Sequence, residues 1–287
     1  MAVLGRGEGH GGITILHALG AGYGSAIGID LSTRVQLRDS PVKKPPQDEH
    51  GLLPAVEAAW AAAGFPMPDA DELHWAVRSD LPIGRGLKSS AALAVAAIHA
   101  LAEATESQLE NHQIVDIAAA AQLGCECSLT GSVDDAWAAV EPGWKVVDPT
   151  VPAADGVLME GQLEDSDDWT VLIIDRGPRE LTPDPERFQF AAAQFQRAIA
   201  AIEQEQIFPA MVQNGRAVAT AMGDSLGRST SNDLGILGGR ACGISGSGPA
   251  IFCIVLGEQE ATINRIKRTL EPRGWDILQT KIWSSEA

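Results

Sequence analysis

The stretch "PIGRGLKSSAALAVAAIHAL", Pro82–Leu101, sets two glycines, a lysine, two hydroxyls and an alanine-rich helical run side by side. Gly84 and Gly86 permit backbone angles that other residues resist. They can turn successive amides inward as a nest for an anion. A helix beginning near Ser89 adds its unpaired N–H groups and the positive end of its dipole. Arg85 and Lys88 add cations. Ser89 or Ser90 can cap that helix, bind Mg²⁺, or do both in turn. Together these groups suit the phosphate tail of a nucleotide. The spacing departs from the Walker pattern, because Leu87 and not a glycine precedes Lys88. The other reading of the same residues is a serine-capped core helix after a glycine turn.

Two further stretches carry chemistry. In "GISGSGPAIF", Gly243–Phe252, glycines alternate with Ser245 and Ser247 ahead of an apolar run. This is turn chemistry: either a structural hairpin, or a loop that must pack closely on another loop or a ligand. In "TGSVDDAW", Thr130–Trp137, Asp134 and Asp135 are adjacent, so on a helix or strand they point in different directions. One can face inward, where a buried carboxylate needs Lys, Mg²⁺ or a substrate hydroxyl as partner. The alternative is a helix N-cap with an exposed neighbour.

The elements that must position these groups are legible in outline. Residues 11–37 alternate glycines with short β-prone pieces and predict strands separated by tight turns. Residues 41–50 are a proline-rich loop. Residues 51–64 predict a helix with Leu53, Val56, Trp60 and Ala63 on one face, stopped by Gly64. Residues 72–81 alternate Leu73, Trp75 and Val77 as a strand leading into the glycine loop. The helix after Ser90 is apolar nearly all round, and hence buried. A second alanine-rich helix covers 107–123. Residues 148–168 turn acidic and contain prolines, which places a boundary between domains 1–160 and 161–287.

Beyond that boundary, 169–175 predicts a strand. Asp184 and Pro185 then open a helix with Phe188, Ala192, Phe195, Ile199 and Ile202 on its core face. Another helix starts near Pro209, the glycine loop feeds a strand, and a helix over 258–271 precedes a closing strand. About three strands and three to four helices make this half an α+β sandwich.

The 287 residues are 45% hydrophobic and 21% charged, an ordinary globular composition. The net charge of −17 lacks the basic stripe that nucleic acid requires and disfavours anionic membranes. The longest apolar run, Ala91–Ile98, is too short to span a bilayer. Cys125, Cys127, Cys242 and Cys253 lack zinc spacing and read as free thiols in a reducing cytoplasm. The oligomeric state is not legible.

The three stretches together resemble one family. "DLPIGRGLKSSAA" is similar to the central signature of the GHMP small-molecule kinases, with Pro82, Gly84, Gly86, Leu87, Ser89, Ser90 and Ala91 all matching. "GISGSGPAIF" resembles their C-terminal glycine motif. Within the family, the Gly-Leu-Lys-Ser-Ser run, "GYGSAIGIDL" at Gly22–Leu31 and "TGSVDDA" at Thr130–Ala136 are most similar to the archaeal-type shikimate kinases. The similarity runs from about residue 10 to residue 256.

The resemblance implies a two-domain α+β fold: an N-terminal domain like domain 2 of ribosomal protein S5, a ferredoxin-like C-terminal domain, and an active site between them. It implies ATP- and Mg²⁺-dependent phosphorylation of shikimate at its 3-hydroxyl, a step of aromatic amino-acid biosynthesis. It places ATP on Pro82, Gly84, Arg85, Gly86, Leu87, Lys88, Ser89, Ser90, Ala91, Ser245, Gly246 and Ser247. It places Mg²⁺ on Ser89 or Ser90, with Glu126 nearby but two positions out of register. Relatives carry a catalytic aspartate seven residues before a Gly-Gly pair, and counting back from Pro142–Gly143 gives Asp135, with Asp134 as the alternative. Lys88 would neutralise the transferring phosphoryl group. The shikimate carboxylate needs a cation, for which Arg85, Lys88, Arg179 and Arg240 are candidates. His10, His17 and Asp30 are candidates for substrate hydroxyls or for ordinary packing and turn roles. The rival functions are a homoserine- or mevalonate-type kinase of the same family and a ligand-binding relative without catalysis.

Overall fold

The computed structural model describes residues 2–163 and 168–284. Residues 164–167, part of the expected interdomain stretch, lie outside the described residues.

The chain opens with two long antiparallel strands, β1 (Val3–Leu16) and β2 (Gly24–Arg38), joined through the short α1 (Ala18–Ala21). Gly11 and Gly12, expected among strands separated by tight turns, lie inside β1, as do Gly5, Gly7 and Gly9. The reason is close approach of a helix. A Cβ on Gly5, Gly7 or Gly9 would sit 2.0, 2.0 or 2.3 Å from the carbonyl oxygens of Ala100, Ala96 and Ala92. Those three alanines line one face of α3 (Ser89–Thr105), which rests backbone-to-backbone on β1. Two residues of strand rise and four of helix rise are nearly equal, about 6–7 Å. A glycine every second residue thus meets an alanine every fourth.

After the proline-rich loop come α2 (Leu52–Ala62) and β3 (His74–Ser79), which pairs with β2 and leads into the glycine loop. Then follow α3, α4 (Asn111–Gly124), α5 (Val133–Val140), β4 (Trp144–Val147) and β5 (Val157–Gly161). The order of the first sheet is β1-β2-β4-β5, with β3 also on β2. β5 falls within the stretch read from sequence as a linker; its exposed alternate residues hide the strand.

The second sheet has the order β7-β8-β6-β9, built from β6 (Trp169–Asp175), β7 (Ala241–Ile244), β8 (Ile251–Leu256) and β9 (Asp276–Lys281), with every pairing antiparallel. The helix expected from Asp184 is real, and Asp184 caps it through the amide of Glu186. It breaks at Ala191 into α6 (Pro185–Phe190) and α7 (Ala192–Ile202). α8 (Ile207–Met222), α9 (Ser225–Ile236) and α10 (Glu260–Leu270) complete the layer. The sequence reading missed β7, only four residues long, and α9, whose serines and glycines blur its period.

The strands β6, β7 and β8 are buried on both faces, whereas β9 is largely exposed. In β6, Val171 and Ile173 join a core shared with Ile13, Ile15, Ile27 and Ile29 of the first sheet, while Leu172 and Ile174 pack on α6–α10. The two sheets are therefore fastened by apolar side chains as well as by loops. Such a shared core gives the loops at its edge a fixed relative position. The end of the chain adds a second fastening: Trp283 stacks on His10 with ring centroids 3.8 Å apart and donates its backbone N–H to Gly28. Among the described residues no helix is long and apolar enough to cross a membrane.

Candidate active site

The glycine loop, the acidic turn and the C-terminal glycine loop, far apart in sequence, meet at one place. Gly84 and Gly86 have φ of +71° and +84°, and Lys88 also takes the left-handed conformation at +65°. Lys88 is the N-cap residue of α3 and makes no side-chain cap. This corrects the expectation that a serine caps the helix: Ser89 and Ser90 lie inside its first turn. The first amides of a seventeen-residue helix are left for a ligand.

Leu87 anchors the loop from below. Its side chain is in the shared core and its carbonyl accepts from Gly12 at 3.1 Å. Ala91, fully buried, continues that anchor. Arg85 is drawn across to the second sheet, where its Nε donates to Asp175 Oδ1 at 2.6 Å, and its carbonyl accepts from Ala250.

The two glycine loops pack on each other. A Cβ on Gly86 would fall 2.2 Å from the carbonyl oxygen of Ser245. Ser245, fully buried, donates its hydroxyl to Gly86 O at 2.7 Å, and Gly246 N donates to Thr14 Oγ1 at 2.8 Å. Of the two readings of "GISGSGPAIF", loop against loop is the observed one. Ser245 and Gly246 buttress the Gly84–Lys88 loop from behind. Ser247 instead meets His17, with Oγ 3.0 Å from Nε2. Leu19 N–H donates to His17 Nδ1, so Nε2 carries the ring proton and donates to Ser247. Burial, with Lys88 and Arg179 nearby, pushes His17 down to about 3, so the ring is neutral.

Asp134 and Asp135 stand in the first turn of α5. Lys88 Nζ lies 2.6 Å from Asp135 Oδ1, with both side chains largely shielded. The contact is an ion pair off the hydrogen-bonding line, which leaves Asp135 Oδ1 without a hydrogen bond among the described residues. Asp134 is buried over Gly24, where an added Cβ would lie 2.5 Å from its carboxyl. Burial and the neighbouring Asp135 carboxylate push Asp134 up to about 8, against the pull of Lys88. The environment separates the pair: Asp134 is protonated at neutral pH, and Asp135 faces the ammonium.

The other expected residues divide. Arg179 reaches over the C-terminal loop, donating to Gly248 O from Nε and a terminal nitrogen at 3.1 Å. Arg240 precedes β7, at the opposite end of that strand from the glycine loop. His10 packs between Trp283 and the Ile29 carbonyl, away from these loops. Asp30 is exposed in a bulge of β2 and caps no turn. Glu126 is exposed on the turn after α4, and its side chain makes no hydrogen bond or ion pair among the described residues. Pro82 begins the loop, with its backbone partly exposed.

Sequence reasoning missed Gly12, Gly24, Thr14 and Gln122. Gly12 and Gly24 make room for Lys88 and Asp134; their signal was present as glycines inside β-prone runs. Gln122 is fully buried in α4 and gave no signal.

A small, hard divalent cation fits this donor set, with one restriction. The hydroxyls of Ser89 and Ser90 and the carboxylate of Asp135 are all oxygen ligands, as Mg²⁺ prefers. No group of three or more His, Cys, Asp or Glu among the described residues could hold a metal alone. The ion would therefore be held partly by the phosphates of a nucleotide.

A family model of the GHMP kinases N terminal domain matches residues 53–143. The chain is 27% identical to a shikimate kinase of Aeropyrum pernix, covering 96% of this chain and 98% of that one. It is also 27% identical to a shikimate kinase of Pyrococcus furiosus, covering 87% and 91%. Among solved structures, the Methanococcus jannaschii mevalonate kinase superposes with a TM-score of 0.73 at 14% identity, covering 97% of this chain and 98% of that one. A putative homoserine kinase of Listeria monocytogenes superposes at 0.66 and 19%, covering 96% of each.

Proposed function

We propose that this chain, which carries a GHMP kinase N-terminal domain within the two-domain GHMP kinase fold, transfers the terminal phosphoryl group of ATP to the 3-hydroxyl of shikimate. The observation that carries the chemistry is the Lys88–Asp135 pair at the open N-terminus of α3. The acceptor is supported by the relatives named shikimate kinase, which match the chain over most of its length.

Phosphoryl transfer asks the protein for positioning and charge neutralisation more than for covalent chemistry. The loop from Gly84 to Ser90 holds the phosphate tail by amides and the helix end. Lys88 faces the oxygens of the transferring group, where negative charge builds in the transition state. Asp135, held against Lys88, receives the proton of the attacking hydroxyl. Asp134, protonated, donates a hydrogen bond and adds no repulsion to an incoming anion. Bound Mg²⁺ would supply charge neutralisation to the phosphates, held through Ser89 or Ser90.

Shikimate also brings a carboxylate. Lys88 is engaged with Asp135, Arg85 with Asp175, and Arg240 lies at the far end of β7. Arg179 remains: only the neutral Gly248 carbonyl meets its guanidinium among the described residues. We assign it the substrate carboxylate, with Ser247, oriented by neutral His17, on a ring hydroxyl. The four free cysteines accord with a reducing compartment such as the cytoplasm.

The test is an ADP-release assay across shikimate, homoserine and mevalonate with Mg²⁺ present. Shikimate alone is expected to stimulate turnover. Stimulation by homoserine or mevalonate would move the acceptor within the same family, and nucleotide binding with no acceptor would favour a non-catalytic relative.

A further inference from the structure

The nucleotide loop and the acidic turn are bridged by one side chain that no part of the mechanism above uses. Gln122 lies on α4 and is fully buried. Its Oε1 accepts from Ser90 Oγ at 3.0 Å, in the first turn of α3. Its Nε2 donates to Gly131 O at 3.2 Å and to Ala118 O at 3.4 Å. Two carbonyls around the nitrogen fix the amide's orientation, because a carbonyl can only accept. The oxygen must then face Ser90, and Ser90 must be the donor.

Two consequences follow. Ser90 has one proton and has committed it to Gln122, so toward the phosphate site it offers only lone pairs. That face suits a cation and repels a phosphate oxygen. Ser89, whose hydroxyl makes no hydrogen bond among the described residues, keeps its proton for a phosphate. On the other side, Gly131 is followed by Ser132, both at positive φ (+75° and +52°), and then by α5 with Asp134 and Asp135. The backbone carbonyl of Gln122 also accepts from the amides of Cys127 and Ser128, so the residue holds both ends of this connection.

We propose that Gln122 is a positioning residue that sets the proton of Ser90 and the register of the acidic turn together. It makes Ser90 a cation ligand and keeps Asp135 opposite Lys88. The proposal rests on the kinase reading for its catalytic consequence, but its binding consequence is independent of the acceptor.

The experiment compares wild type, Gln122→Met, Ser90→Ala and the double variant. Binding of ADP is measured by calorimetry with and without Mg²⁺, and kcat and KM with shikimate. The removed hydrogen bonds end on buried groups, so Gln122→Met is expected to lower kcat about 10-fold or more, with the KM for shikimate changed less than about 3-fold. It should also remove most of the Mg²⁺-dependent gain in ADP affinity while leaving Mg²⁺-free affinity near wild type. Adding it to Ser90→Ala should cause no further loss of that gain. An unchanged Mg²⁺ gain, or losses that multiply in the double variant, overturns the proposal. Should Gln122→Met fold poorly, Gln122→Glu is read instead: the carboxylate still accepts from Ser90 but loses the donor to Gly131. It should keep the Mg²⁺ gain and lower kcat, and an unchanged kcat overturns the proposal. If wild type transfers to no acceptor, the function is wrong, and the ADP measurements still decide the role of Gln122.

Discussion

Lys88 and Asp135 are 47 positions apart in the chain, yet Nζ and Oδ1 stand 2.6 Å apart beside the free amides of α3. The contact depends on two glycines elsewhere. Gly12 leaves the space that the Lys88 stem crosses, and Gly24 leaves the space that the neighbouring Asp134 fills. An ammonium and a carboxylate held this close, beside the open N-terminus of α3, are the two charges that the proposed phosphoryl transfer to an alcohol needs.

Asp135→Asn keeps the shape and removes the base. Loss of general-base help is expected to lower kcat by about 10²–10⁴-fold. ADP affinity should stay within a few-fold of wild type. Steady-state kinetics paired with calorimetry checks this, and the two halves must separate.

Lys88→Met removes the charge and keeps most of the stem. Removal of a preorganised charge from a transition state is expected to cost about 10²–10³-fold in kcat. Steady-state kinetics checks this, and a near-normal kcat would remove Lys88 from the site.

Asp134 links the site to stability. Its folded pKa, about 8, lies above the ordinary 3.8. A raised carboxyl pKa means that the folded state holds the proton more tightly. Its contribution is complete below pH 3.8 and is lost as pH rises toward 8. Asp134→Asn stays neutral throughout. The difference in melting temperature, variant minus wild type, should therefore grow between those limits, by about 2 °C for each kcal/mol involved. A pH-independent difference would contradict the burial argument.

Gly86→Ala tests the packing of the two loops. The new Cβ would meet the Ser245 carbonyl at 2.2 Å, on a residue whose φ of +84° already resists a side chain. Loss of about 1–3 kcal/mol in stability is expected from the backbone strain alone. Gly84→Ala shares the positive φ but meets nothing within 4 Å, so it should cost less. Chemical denaturation of both variants measures the difference.

The glycine loop, the buried α3 and the acidic pair were legible because each has a local signature: glycines at set spacing, apolar residues all round, adjacent carboxylates. The glycines of β1 are hard to read from sequence, because glycine marks both a turn and a strand against which another backbone lies. For Gly5, Gly7 and Gly9 only the alanines of α3, about ninety residues later, distinguish the two. The serine caps were misplaced because Lys88 adopts a left-handed backbone that its residue type does not announce. Gln122 and Asn214, which accepts from the His17 amide, are polar residues inside helices whose partners come from elsewhere in the chain. No local pattern encodes such contacts. Arg85 was read as a ligand cation and is found paired with Asp175, ninety positions away.

The most direct measurement of the central claim is ³¹P NMR of a reaction containing the protein, ATP, Mg²⁺ and shikimate, followed against matched samples with Asp135→Asn. The account expects ADP and one phosphate ester, on the 3-oxygen of shikimate, to accumulate together with wild type and to be nearly absent with the variant. ADP without the ester, an ester on another oxygen, or equal rates in the two samples would contradict it.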